Sequence, residues 1–389
     1  MHEKWNKVPA FHELAQAASG FSMETMNQIS VSSKLVASLM AVSLGAGSAS
    51  SMEVGPSGSG LSIGGWGEAY ARGEHREAFN RNNSKAGTPA AATENAVDFS
   101  SQAMFKMSYR VDDFSMRADV LFFDQQTYGS NVLLEQAYLD WRTSDWATVR
   151  AGRFQSTWIG WEGYHTAELW RVNNSAVWSW NIQDHGKLTR RPFLSDGLDV
   201  KLTAPSAPIT LDLLIVDDVL GDGPSTTSAD KAYGASLAWR PADIGRIELG
   251  AVLDPHAMNN GDGTSSTGAA VDLNIDITGL LERGWFFAGE VQVHEHGDLA
   301  PAGSRFGEAV MLLGMANYAF TEKISVTAMV DWVDRGRALS DNEVVEYALA
   351  VLTRPGGQAR LNAEVFYWDE SADQADAIGA AAVLQLSLP

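Results

Sequence analysis

Histidine and carboxylate side chains lie close together in the sequence at two places, and such groups can bind a metal ion or exchange protons. His165 lies between Glu162 and Glu168, whereas His294 and His296 are separated by one residue. A spacing of three brings side chains to one face in a helix but not in a loop. The second pair shares one face of a strand, which permits metal binding without specifying it. Both groups are therefore interpreted as surface groups, and no metal site is predicted.

Other patterns that could carry chemistry are weak or missing. Residues 259–263 (NNGDG) offer oxygen ligands suited to calcium, but they lack the acidic residue that closes an EF-hand loop, so they are typical of a turn. The chain has no Gly-x-Ser-x-Gly nucleophile elbow and no phosphate-binding loop. A hydrolase would need a nucleophile beside a base, and no convincing pair occurs. The sequence therefore predicts no enzyme and no cofactor.

Composition excludes several classes of protein. The chain has 389 residues, no cysteine and a formal net charge of -20. Without cysteine it has no disulfide framework and no thiolate metal site. A nucleic-acid binder needs clustered Lys and Arg, which this acidic chain lacks. After the first fifty residues no apolar run reaches about 18 residues, so a membrane-bound form would have to enter the membrane as strands.

The amino-terminal region has the parts of an export signal. Residues 26–50 contain one basic residue, Lys34, followed by an apolar stretch over residues 35–44 and then by small residues. This order is typical of a secretory signal peptide, with cleavage expected between Ala46 and Ser51. A short buried helix is the alternative interpretation.

The signal divides the chain into four parts. Because a signal normally begins at its own methionine, residues 1–25 are interpreted as an upstream extension or a misassigned start, with Met23 or Met26 as the true start. After the signal come a short segment, residues 51–60, and the main domain, residues 61–389.

The main domain alternates apolar and polar residues for roughly ten positions, turns, and begins again, as membrane-barrel strands do. Phe105, Met107 and Tyr109, for example, alternate with Lys106 and Ser108, which puts the two sets on opposite faces. The fold class predicted is therefore all-β, a transmembrane antiparallel β-barrel of about sixteen strands. The strands are expected near residues 61–73, 96–110, 113–124, 131–142, 146–154, 196–204, 208–216, 230–240, 245–254, 267–278, 283–293, 306–319, 323–334, 344–353, 358–368 and 376–388.

Connections between these strands alternate between short and long, which is typical of short periplasmic turns and longer external loops. Both chain ends would then lie in the periplasm. Aromatic residues of the outward series fall beside the short turns, where they would sit at the level of lipid headgroups. A secreted β-rich binding protein is the alternative, in which these rings would pack in a core. The rings are Tyr109, Phe114, Trp141, Trp239, Trp285 and Tyr318.

One external connection, residues 155–195, is long and rich in aromatic and charged residues. Loops of this length are usually functional, and burial inside the barrel would explain so much aromatic area. The predicted barrel therefore has a long loop folded inward after strand five. Its tryptophans could stack on sugar rings or anchor the loop to the wall, and both readings stay open. They are Trp158, Trp161, Trp170, Trp178 and Trp180.

Two motifs carry a resemblance to Gram-negative porins. Residues 148–154 (TVRAGRF) resemble the strand that ends in a Gly-Arg pair before a porin's constriction loop, and residues 134–139 (LEQAYL) are similar to a Glu-x-Ala-Tyr strand of porin-like barrels. The sixteen-strand layout with its inserted third loop matches nearly the whole mature chain. Porins commonly end in an aromatic residue, whereas this chain ends in Leu388-Pro389, which leaves the subfamily open.

The resemblance implies a water-filled pore for small hydrophilic solutes and ions in the bacterial outer membrane. It also implies a homotrimer, contact with outer-membrane lipid and lipopolysaccharide, and insertion by the barrel assembly machinery. Basic residues of the wall should face acidic residues of the inserted loop and create a transverse field. The implied constriction consists of Lys106, Arg117, Arg150 and Arg153 on the wall, Glu162, Glu168 and Asp184 as acidic loop residues, and Arg171, Arg190 and Arg191 as further basic lining.

Acidic residues predominate on the polar faces of the predicted strands, which predicts a mild preference for cations. The solute itself is not named by the sequence, and a specific channel, for example for carbohydrate, is the alternative. The predicted lumen bases are Lys106, Arg117, Arg150, Lys201 and Arg360, and the predicted lumen acids are Asp119, Asp140, Asp199, Asp212, Glu248, Asp272, Asp276, Glu290, Asp331, Glu346 and Glu364.

Overall fold

The structure is a computed structural model. It describes residues 52–54, 58–76, 94–127, 130–155, 194–217, 231–241, 245–259, 265–277, 280, 283–296, 308–334, 343–356, 359–370 and 377–388. Within these ranges no helix has the length and hydropathy needed to cross a membrane. The predicted signal peptide, the upstream segment and residues 156–193 of the predicted inserted loop lie outside the described ranges.

Sixteen long strands form the wall, and a two-residue strand, β1 (Met52–Glu53), pairs with the first of them. All sixteen predicted strands are present. The wall strands are β2 (Leu61–Arg76), β3 (Glu94–Val111), β4 (Phe114–Thr127), β5 (Ser130–Ser144), β6 (Ala147–Gln155), β7 (Leu194–Thr203), β8 (Ile209–Asp217), β9 (Lys231–Trp239), β10 (Gly245–Asn259), β11 (Ser265–Ile277), β12 (Trp285–His296), β13 (Glu308–Thr321), β14 (Ile324–Asp334), β15 (Glu343–Gly356), β16 (Ala359–Glu370) and β17 (Ala377–Leu388).

The sheet closes on itself. Each wall strand pairs antiparallel with its neighbours in the chain, and the last strand, β17, returns to the first, with Leu388 opposite Gly65 and Ala377 opposite Arg76. Closure removes the unpaired edges that an open sheet would expose, so every wall strand has hydrogen-bonding partners on both sides. The prediction of an antiparallel barrel of about sixteen strands is confirmed.

Period-two alternation gives the wall two chemically different faces. Along β8, Asp212 and Leu214 are buried on the inner face, whereas Leu213 and Ile215 are exposed on the outer face. Large apolar side chains are exposed in the same way on the outer face of most wall strands. Such a surface would be unfavourable in water but is suited to the hydrocarbon of a bilayer.

Short connections join the strands at one end of the barrel, and aromatic side chains gather there on the outer face. Phe114 and Trp141 lie opposite each other across β4 and β5, with their ring centroids 6.0 Å apart. Trp285 and Tyr318 form a similar pair at 4.7 Å across β12 and β13. Trp and Tyr rings, which carry one polar atom, favour the boundary between hydrocarbon and headgroups, so Trp141, Trp285 and Tyr318 mark one edge of the apolar belt.

Candidate functional site

The inner face of the wall carries the charged side chains that the sequence pattern assigned to a lumen. All eleven predicted lumen acids lie on inward registers, and most of them are buried. Buried charges need partners, because desolvation of an isolated ion costs several kcal/mol. The basic residues of the inner face supply several of these partners.

Arg117 on β4 pairs with Asp119 two residues along the same strand. Its Nε donates to Asp119 Oδ1 and Oδ2 at 3.1 and 3.0 Å, and its Nη2 donates to Oδ2 at 2.6 Å. The Gln136 amide nitrogen, on the neighbouring strand, lies 3.4 Å from the same carboxylate. Residues two apart on a strand share a face, so this contact follows directly from the local geometry.

Arg150 on β6 is held by groups from the preceding strand. Its Nε and Nη2 donate to the two oxygens of Asp140 at 2.7 and 3.0 Å, a bidentate pair that fixes the plane of the guanidinium. The guanidinium carbon lies 4.0 Å from the centroid of the Tyr138 ring and 5.9 Å from that of Phe154. Cation–π contact and the ion pair together hold Arg150 against the wall.

Three further cations line the same side of the barrel. Lys201 Nζ on β7 lies 3.5 Å from Asp212 Oδ1, and Arg246 pairs with Glu248 on β10. Lys106 on β3 lies directly opposite Asp119 in the strand register. Lys106, Arg117, Arg150, Lys201 and Arg246 therefore lie beside carboxylates of the wall itself, whereas Arg110, also on the inward register of β3, lies opposite Ser115.

Residues that lie opposite one another across neighbouring strands form a row around the barrel. Three of the predicted constriction residues, Lys106, Arg117 and Arg150, lie in neighbouring rows on the inner face. Arg153 lies on the outward register, where its Nε and Nη2 donate to Asp196 at 2.7 Å each. The remaining predicted residues fall outside the described ranges: Glu162, Glu168, Arg171, Asp184, Arg190, Arg191 and the five loop tryptophans, Trp158, Trp161, Trp170, Trp178 and Trp180.

Sequence reasoning missed some inner-wall charges. Glu135 is buried although alternation from Gln136 would turn it outward, because a β-bulge between Asp119 and Val120 sets an extra residue into β5. Arg246 is the second residue of β10 and alternates with Ile247, Glu248 and Leu249, so its face could have been inferred from the sequence. A bulge leaves no reliable signal in one sequence, whereas the Arg246–Glu248 spacing of two residues could have indicated a shared face.

The opposite side of the inner wall is different in character. Side chains on β12 to β16 form a buried apolar cluster that includes Met311, Leu313, Met329, Phe366 and Trp368. Carboxylates are interspersed with this cluster on the same face, and among the described side chains of β11 to β17 the bases on inward registers are Arg360 and, at the short-turn end of β15, Arg354. The described inner wall is thus polarised, with its bases concentrated on β3 to β10 and its acids on both sides.

No cluster of three or more His, Asp or Glu side chains with metal-binding geometry occurs among the described residues.

A closed antiparallel barrel with an apolar outer belt, an aromatic edge and a charged interior is the architecture of channels of the bacterial outer membrane. Over residues 60–376 the chain matches the family described as "Putative beta-barrel porin-2, OmpL-like", and it belongs to that family. The protein is accordingly a porin-like barrel of the bacterial outer membrane.

Solved outer-membrane proteins share the fold at low sequence identity. OprB of Pseudomonas putida is 12% identical with a TM-score of 0.62, covering 85% of this chain and 94% of its own. The anion-selective porin from Comamonas acidovorans is 10% identical with a TM-score of 0.60, covering 84% and 99%. The outer membrane channel DcaP of Acinetobacter baumannii is 12% identical with a TM-score of 0.56, covering 86% and 100%. No protein of curated function matches the sequence.

Proposed function

We propose that the protein is a porin that lets small hydrophilic solutes and ions cross the outer membrane by passive diffusion through a water-filled lumen. The observation that supports this most directly is the charged inner face of a closed barrel whose outer face is apolar. Purified protein should produce stepwise conductance in planar bilayers and swelling of liposomes in small sugars. Absence of both activities from folded, inserted barrels would overturn the proposal.

The constriction is proposed to form where the inner-wall bases face charges of the loop over residues 155–195. Lys106, Arg117 and Arg150 would supply one side of the field, and acidic loop residues such as Glu162 and Glu168 the other. The inward rows of the three wall bases support this arrangement.

We further propose a mild preference for cations, because carboxylates exceed bases among the described inward side chains. In a potassium chloride gradient, the reversal potential should therefore have the sign expected when potassium permeates more readily than chloride. The neighbour from Comamonas acidovorans is an anion-selective porin, so a shared fold leaves the sign of selectivity to the lining residues.

Neutralising one lining charge is expected to shift this preference. Asp140→Asn should lower the potassium to chloride permeability ratio by up to roughly twofold, because the half-buried Asp140 contributes to the field in the lumen. Glu322→Gln is the matched control, since it removes the same charge from an exposed turn between β13 and β14. The proposal would be contradicted if the reversal potential shifted equally in both variants. It would also be contradicted if the reversal potential of the unmodified protein had the sign expected for preferred permeation of chloride.

Export and assembly are proposed to follow the porin pattern, with residues 26–50 removed as a signal peptide and three copies assembling in the membrane. Amino-terminal sequencing of protein extracted from outer membranes should find a start within residues 47–51. Cross-linking of the same sample should give a trimer ladder. A retained amino terminus would contradict the signal, and a purely monomeric product would contradict the trimer.

A further inference from the structure

In two ion pairs of the inner wall the base reaches further into the lumen than the acid. The Arg117 side chain is 37% exposed, whereas its partner Asp119 is 1% exposed. Lys201 is 38% exposed beside Asp212 at 6%. Arg150 and Asp140, at 20% and 19%, are equally accessible. A solute that touches the wall at Arg117 or Lys201 therefore meets the cation first, because the carboxylate lies behind it.

The ion pairs also orient the guanidinium groups. In both Arg117 and Arg150 the wall aspartate binds through the edge formed by Nε and Nη2. A guanidinium has five N–H donors, and the edge formed by Nη1 and Nη2 matches the two oxygens of a carboxylate or phosphate. The aspartates thus act as positioning residues: they bind the Nε and Nη2 edge and leave Nη1 outside the bidentate contact.

Four cations follow one another on successive inward rows of the sheet. Lys106 lies in the row of Asp119, Arg117 in the row of Tyr138, Arg150 in the row of Asp140, and Lys201 in the row of Thr148. Each row is two residues from the next, a step of about 6.7 Å along the strands. The rows descend toward the end of the barrel that carries the short turns.

We propose that Lys106, Arg117, Arg150 and Lys201 form a cationic ladder that binds the carboxylate or phosphate group of a small organic solute during its passage. The ladder rests on the proposed pore function and names the class of solute for it. It is compatible with a mild preference for potassium, because small hydrated ions respond to the summed charge of the lining, whereas a larger solute contacts the protruding groups.

Three six-carbon solutes of matched size and different charge test the ladder: gluconate, glucose and glucosamine. Added to single channels in potassium chloride, gluconate should reduce the current at concentrations at which glucose and glucosamine do not. Arg117→Gln combined with Asp119→Asn leaves the summed charge of the lining unchanged, and it should weaken the gluconate effect on the order of tenfold, equivalent to about 1.4 kcal/mol. Lys201→Gln should weaken it as well.

The control is Lys323→Gln, which removes one positive charge from an exposed turn outside the lumen and should leave the gluconate effect unchanged. Heat-dependent migration on detergent gels checks that every variant is folded. A gluconate effect no larger than that of glucose, or one unaltered in both lumen variants, would overturn the ladder while the conductance still supports a pore. A folded barrel without any conductance would overturn the pore itself.

Discussion

Replacing Gly152 by alanine is expected to lower the free energy of unfolding by at least about 3 kcal/mol, or to prevent assembly altogether. Gly152 has a φ of 123°, a conformation that residues with a side chain rarely adopt. A Cβ atom at this position would lie 2.3 Å from the carbonyl oxygen of Ala137 and 2.9 Å from the Cα of Tyr138. Both obstacles are backbone atoms of β5, so they can move only if the strand pairing opens.

Gly152→Ala should also displace Arg150 in the lumen, because Arg150 lies two residues from Gly152 and contacts Tyr138 on the strand that would be displaced. Unfolding of the purified barrel in denaturant, followed by tryptophan fluorescence, measures the loss. Gly67→Ala on β2 is the control, since no atom lies within 4 Å of its added Cβ. It should change stability by less than about 1 kcal/mol and in the stabilising direction. Equal midpoints for the two variants would refute the close approach at Gly152.

Introducing arginine at Leu349 is expected to destabilise the inserted barrel by about 2–4 kcal/mol. Leu349 is 49% exposed on the outer face, midway along β15, and lies between Ala328 and Val365 in the register. A guanidinium there would have to remain in hydrocarbon or reach for a distant headgroup. Folding titrations into lipid vesicles, followed by gel migration, give the free energy directly.

Ser108→Arg provides the matched control, because Ser108 is exposed on the inner face of β3, in the row of Arg117. The same side chain should be tolerated there at a cost below about 1 kcal/mol, since water can solvate it. If Leu349→Arg folds as well as Ser108→Arg, the outer face is not in contact with lipid and the assignment of the two faces fails.

Strand number and strand position were readable from the sequence. The pattern predicted strands near residues 96–110 and 131–142, and the structure has Glu94–Val111 and Ser130–Ser144. Alternation is a local property of a pleated chain, so it survives in a single sequence. The observed strands extend further because ladder hydrogen bonds continue past the apolar belt, where the composition no longer alternates.

The sequence predicted which charged residues lie on the inner wall, but not which of them contact one another. Arg117 and Asp119 are two residues apart on one strand, and their pairing follows from the pleat. The resemblance to porins placed the partners of the wall bases on the inserted loop, whereas Arg150 is held by Asp140 of the preceding strand. Which carboxylate faces which base depends on strand register, and a single bulge at Glu135 changes that register by one residue.

The sequence by itself determined that the chain forms a barrel of about sixteen strands and, wherever alternation is unbroken, which side chains share a face, because a period of two is visible residue by residue. Only the tertiary structure decided which charges of the inner face meet, and which of them reach the lumen. Arg150 and Asp140, on the inner face, are ten positions apart, and Arg153 and Asp196, on the outer face, are 43 apart. Pairing of neighbouring strands brings such residues opposite each other. Burial then covers Asp119 and Asp212, while Arg117 and Lys201 remain accessible.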